Sequence, residues 1–148
     1  MRRSAPAAAV LVGLLAAGCG GGSGGRLSKA DYVKQADAIC SKYNRKLQTL
    51  GTPKSLADIG AYADKALGVT RKGNAELKDL KAPKSEEQTA KEWTAQNDLV
   101  AKAVQDLAAA AKKNDKPGIG AALKRGQTAN KSANGLARDL GLRVCARG

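Results

Sequence analysis

The chain has 148 residues and a formal charge of +13, with 26 Lys and Arg set against 13 Asp and Glu and no histidine. The missing histidine excludes His-based triads, the usual zinc sites and the common proton shuttle of neutral pH. Phe is absent and Trp93 is the only tryptophan, so a core built mostly from Ala and Leu must rely on close helix approach.

The first element is an address. Arg2 and Arg3 precede an uncharged run from Ala7 to Ala17, and Ala16-Ala17-Gly18 leads to Cys19. This is the layout of a secretory signal, and the run is too short to span a bilayer. The cysteine after Ala-Ala-Gly resembles a bacterial lipobox, with Ala16 where the motif usually carries Leu. Residues 1–18 are therefore expected to be a lipoprotein signal peptide and Cys19 to be lipidated. Residues 19–27 form a Gly-rich tether, and 28–148 the folded domain. Taking Arg2 and Arg3 away from the formal +13 leaves +11 on the mature side chains.

Four helix-sized segments follow the tether. Ser28 and Asp31 form a capping-box-like pair, with Leu27 and Tyr32 placed as a hydrophobic staple. Tyr32, Ala36, Ile39, Tyr43, Leu47 and Leu50 then recur at steps of three and four until Gly51 stops the helix. The second segment runs from about Lys54 to Leu80 behind Ser55 and Asp58. Its seam is Leu56, Ile59, Ala63, Ala66, Thr70, Gly73, Leu77 and Leu80. After Pro83, Ser85 and Gln88 open the third, with Ala90, Trp93, Asn97, Val100, Val104, Leu107 and Ala111. Residues 114–118 read as a turn. The fourth seam is Ile119, Ala122, Gly126, Ala129, Ala133, Leu136 and Leu140, ending at Gly141. Each carries the stripe of helices crossing near 20°, and the short loops predict an all-α, up-down-up-down four-helix bundle.

Cys40 and Cys145 remain after lipidation, and an even pair in an oxidising compartment predicts a disulfide. Gly141 then acts as a hinge that turns residues 142–145 back along the first helix. The strings Lys34-Gln35-Ala36-Asp37-Ala38-Ile39-Cys40 and Leu140-Gly141-Leu142-Arg143-Val144-Cys145 resemble a group of small Ala-rich helical secreted proteins and lipoproteins common in actinobacteria. The resemblance supports the pairing and implies no catalytic residue or established activity.

Without histidine, the Glu-x-x-His sites of di-metal bundles are impossible, and no metal site, cofactor or catalytic residue is expected. Asp37 and Asp64 flank seam positions, but solvated helix charge is the expectation for every acid. Tyr43, Thr70 and Asn97 occupy mid-helix seam positions near Gly73 and Gly126. They read either as a small polar pocket or as a hydrogen-bonded set that fixes register. The small neighbours favour the second reading by drawing helices together. Trp93 reads as core.

The antiparallel arrangement gathers Arg26, Lys29, Lys78, Lys81, Lys84, Arg138, Arg143 and Arg147 at the tether end, where they face an anionic surface or keep the domain soluble. Few aromatics are available for bases to stack on, so nucleic acid is not an expected partner. The leading expectation is a non-enzymatic, lipid-anchored envelope module on the outer face of the cytoplasmic membrane. It would contact anionic lipids, envelope polymers or a protein partner. The alternative is a small-ligand carrier using the middle of the bundle.

Overall fold

A computed structural model describes residues 25–147. The expected signal segment, Cys19 and the expected tether up to residue 24 lie outside the described residues. Four helices run in order: α1 (Lys29–Gln48), α2 (Leu56–Asp79), α3 (Glu87–Lys112) and α4 (Lys116–Asp139). Short 3-10 turns at Lys84–Glu86 and Cys145–Arg147 complete the chain, and no strand is present among the described residues.

Local chemistry sets the boundaries. Ser28 caps α1 by accepting from the Asp31 N–H, and Ser55 with Asp58 forms a full capping box on α2. Gly51, at φ +74°, makes the left-handed turn that ends the first segment. Two starts differ from expectation. Ser85 does not cap α3: the 3-10 turn after Pro83 carries the chain into the helix, with the Glu86 N–H on the Pro83 carbonyl at 3.0 Å. The 114–118 turn is shorter than predicted, because Asp115 caps α4 through the Gly118 N–H and Pro117 is tolerated in the first turn.

Cross-helix pairs establish the antiparallel sense. As α2 advances through Asp64, Arg71 and Lys78, their partners on α3 recede through Lys112, Gln105 and Asp98. Small residues zip the sequential neighbours together. Ala103 and Gly126 are so close that a Cβ on Gly126 would sit 3.4 Å from that of Ala103, and Ala122, Ala129, Ala133 and Ala137 are buried along α4. Leu56, expected in the α2 seam, is instead exposed at the helix start.

The bundle is not closed all round. No Cα of α1 comes within 8 Å of α4, and the C-terminal segment lies against both instead. Leu140 and Gly141 end α4 in a Schellman motif, with Leu142 N–H on the Ala137 carbonyl (2.8 Å) and Gly141 N–H on Arg138 (2.9 Å). Gly141, at φ +82°, supplies the expected hinge. Leu142 then buries itself beside Tyr32, Ala36, Trp93 and Leu140. A second, smaller cluster of Ala110, Ala111 and Ile119 holds the far end. Between the two clusters buried alanines continue, joined by the buried Asn74.

Candidate functional site

A cavity adjoins the first cluster, with asparagines set among apolar walls. Asn44 of α1, Asn74 of α2, Asn97 of α3, and Asn130 and Asn134 of α4 line a space of about 180 Å³. Tyr43, Thr70, Gly73 and Trp93 are among its other walls, and Cys40 and Cys145 border it on the tail side. The structure thus brings Tyr43, Thr70 and Asn97 into one site. The Ala and Gly contacts draw α2, α3 and α4 together, but α1 stands away from α4 and the space stays open.

Asn44, Asn74, Asn130 and Asn134 were not singled out in the sequence. The available signal was their residue type: Asn competes with the helix backbone for hydrogen bonds and is disfavoured in helix interiors. Asn130 and Asn134, one turn apart, repeat that disfavoured choice on one face.

Each wall has a physical anchor. Gly73 gives Tyr43 its place, since a Cβ there would lie 3.0 Å from the ring Cγ. The Tyr43 hydroxyl donates to Glu76 Oε1 at 2.6 Å, and Lys42 donates to both Glu76 oxygens at 2.6 and 2.7 Å. Lys42 and Lys46 also hold their ammonium groups 4.9 and 4.8 Å from the Tyr43 ring centre. The hydrogen bonds from Lys42 and Tyr43 hold the Glu76 carboxyl below its ordinary range, and the Glu76 bond in turn raises Lys42. Tyr43 is raised as well, by its bond to Glu76 and then by burial. Asn74 Nδ2 donates to the Asn97 carbonyl at 2.9 Å. Asn97 Nδ2 is buried and has no hydrogen-bond partner among the described residues. Such an amide costs about 1–3 kcal/mol of desolvation.

The remaining sequence candidates separate clearly. Cys19 lies outside the described residues. Cys40 and Cys145 form the expected disulfide, with Cα atoms 5.3 Å apart and a sequence separation of 105. Asp37 is not a merely solvated acid. Its carboxylate accepts the tail N–H groups of Arg143 (2.9 Å), Val144 (2.9 Å) and Cys145 (3.1 Å), so it caps the final 3-10 turn. Asp64 pairs with Lys112 at 2.6 Å.

The basic cluster divides. Arg26 donates to the Ala82 carbonyl and pairs with Glu87, Lys29 pairs with Glu86, and Lys78 pairs with Asp98. Lys81, Lys84 and Arg138 are exposed at the tether end and form no ion pair among the described residues. Arg143 and Arg147 do not belong to that end face. The Asp37 clamp and the disulfide carry the tail up to Cys40, about 16 Å along α1, and take both arginines with it. An open groove of about 480 Å³ beside this end has Arg26, Lys78, Lys81 and Lys91 around Tyr32, Leu77 and Leu80.

Among the described residues, no group of three or more His, Cys, Asp or Glu is placed to hold a metal ion, and no helix is long and apolar enough to cross a membrane. No protein-family model, curated protein or solved structure matches this chain.

Proposed function

We propose that this chain is an exported, lipid-anchored binding protein of the cell envelope, without catalytic activity, that holds a small molecule in the asparagine-lined pocket of its bundle. The export and the anchor rest on Arg2-Arg3, the 7–17 run and Cys19, and the Cys40–Cys145 bond suits an oxidising compartment. One observation carries the pocket: asparagines from all four helices line one cavity, and the amide of one of them, Asn97, is buried without a hydrogen-bond partner among the described residues. A set serving only to fix register would satisfy its own hydrogen bonds. The test is mass spectrometry of the organic extract from the purified full chain, run beside an Asn97→Leu variant. A small molecule recovered from wild type and lost from the variant supports the reading; equal extracts from both refute it.

A second reading is a contact between the tether end and anionic lipid. Lys81, Lys84 and Arg138, exposed and free of ion pairs among the described residues, favour it. Charges near an anionic bilayer contribute about 1 kcal/mol each. Sedimentation with anionic vesicles across a salt series, for wild type and a Lys81→Glu/Lys84→Glu/Arg138→Glu variant, tests it. Unchanged binding by the triple variant refutes this reading.

A further inference from the structure

The charge of the domain is segregated by face. Together α2 and α3 carry seven basic and eight acidic residues, so that side is close to neutral. By contrast α1, α4 and the tail carry twelve basic residues against three acidic ones, Asp31, Asp37 and Asp139. These three elements lie side by side, because the tail fills the space between α1 and α4. Charge that serves only solubility is interspersed and has no reason to gather on one side.

The densest part is α4, which between Lys116 and Arg138 has five basic residues and no acid. Arg125 is paired with Asp106 of α3. Lys116, Lys124, Lys131 and Arg138 are exposed and make no ion pair among the described residues. Lys124, Lys131 and Arg138 recur at every seventh residue, so they share one side of the helix and mark out a line of about 21 Å. Ala121, Thr128, Ser132 and Gly135 stand beside them, and these small side chains leave the cations uncovered.

The geometry favours a linear partner over a bilayer. The line runs along the helix axis, away from the tether end, instead of across that end. In α1, α4 and the tail, Leu123 is the only exposed large apolar residue, whereas a helix lying in a membrane interface needs an apolar face to bury. Two of the three cations are lysines, compact point charges with no fork to match, so the line responds to the spacing of charge rather than to the shape of one anionic group.

We propose that the outer side of α4 docks a linear polyanion, a chain of repeated phosphate or carboxylate groups that lies along the helix and engages Lys124, Lys131 and Arg138 together. The gain is multivalent: once one group is held, the next is delivered at high local concentration. This surface is independent of the pocket, and Lys124 and Lys131 lie outside the tether-end cluster, so its failure leaves both of those readings standing.

The probe is end-labelled long-chain inorganic polyphosphate, titrated with the full chain while anisotropy is followed across a salt series. Binding should weaken steadily as salt rises. Lys124→Gln/Lys131→Gln should weaken it about tenfold and flatten the log–log salt slope by about one to two. Lys65→Gln/Lys72→Gln removes two exposed charges at the same seven-residue spacing from the near-neutral α2. It should change the affinity by less than about twofold, since charges on another face are screened. Inorganic phosphate, which meets one cation at a time, should compete about a hundredfold more weakly than the polymer. All four substitutions alter exposed side chains, and circular dichroism checks that each variant is folded. Equal losses in the two double variants reduce the effect to net charge and overturn the docking line, as does inorganic phosphate that competes as well as the polymer. Absence of polyphosphate binding also overturns it, and anionic vesicles bound through Lys124 and Lys131 in that case assign the surface to lipid.

Discussion

Asp37 is the least conspicuous residue on which the architecture depends. Its two carboxylate oxygens take three consecutive backbone N–H groups of the tail, and that tail is what lies between α1 and α4. In Asp37→Ala these donors lose a charged acceptor. A hydrogen bond to a charged group contributes about 1.5–3 kcal/mol net, and three bonds sharing one half-exposed carboxylate should total about 3 kcal/mol rather than the full sum. A domain of this size shifts by about 4 °C per kcal/mol, so thermal melts at 222 nm should show a loss of about 12 °C. Asp37→Asn keeps one acceptor oxygen and should lose about half as much. In a Cys40→Ala/Cys145→Ala background the tail is already loosened, so adding Asp37→Ala should cost less than it does alone. An Asp37→Ala melting point within about 2 °C of wild type would refute this account, as would full additivity with the cysteine substitutions.

Other expectations follow from the same contacts. Reducing the disulfide, with its separation of 105 residues, should cost about 4–5 kcal/mol; a melting point lowered by less than about 4 °C would contradict that. Asn97→Leu removes an unpartnered buried amide and fills part of the cavity, so it should stabilise the chain by about 1–2 kcal/mol, and a lower melting point counts against it. Gly73→Ala drives a Cβ to 3.0 Å from the rigid Tyr43 ring, and overpacking of about 1–3 kcal/mol outweighs a helix-propensity gain of about 1 kcal/mol. Gly68→Ala meets nothing within 4 Å and should stabilise by about 1 kcal/mol, so melts that move both variants the same way would refute the contrast. Glu76, pulled down by the hydrogen bonds of Lys42 and then Tyr43, favours its ionised form when folded. Its stabilisation is present above the ordinary value of 4.5 and is lost as pH falls through the lower folded value. Denaturation curves of Glu76→Gln should show a shallower acid limb than wild type, and identical limbs would exclude the effect.

The helices were legible because their signals are local. Ser55 and Asp58 mark a start wherever they occur, and Ala-rich stripes at steps of three and four bury one face regardless of the neighbour. The pairing of Cys40 with Cys145 follows from a count and an expected compartment, and Gly141 marks the hinge. What stayed hidden was relational. Asp37 reads as one more exposed acid until the tail is folded back to meet it. Helix order alone places Arg143 and Arg147 at the tether end, and a clamp visible only in three dimensions moves them. Four of the five pocket asparagines escaped notice because they stand beside the apolar seam rather than in it. Asn74 faces the interior through the α2–α3 contact, where its amide donates to the Asn97 carbonyl.

The bundle stays open between α1 and α4. The α2–α3 and α3–α4 interfaces are built from Ala and Gly, so those backbones approach closely and form a continuous three-helix wall. The buried face of α1 carries Tyr32 and Tyr43 instead, and even against α2 it needs Gly73 to seat the second ring. Tyr32 shares one core with the indole of Trp93, Tyr43 lines the cavity beside it, and α1 lies along α2 with no Cα within 8 Å of α4. The tail fills the gap from Gly141 up to the disulfide, where Leu142 joins the core. Beside that staple the helices meet the opening with asparagine, and toward the far end with Val100, Val104 and Leu107. Asparagine in a helix interior sacrifices propensity, and an unpartnered amide sacrifices more. Leucine at position 97 would relieve both, so asparagine there is the feature that a purely structural role explains worst.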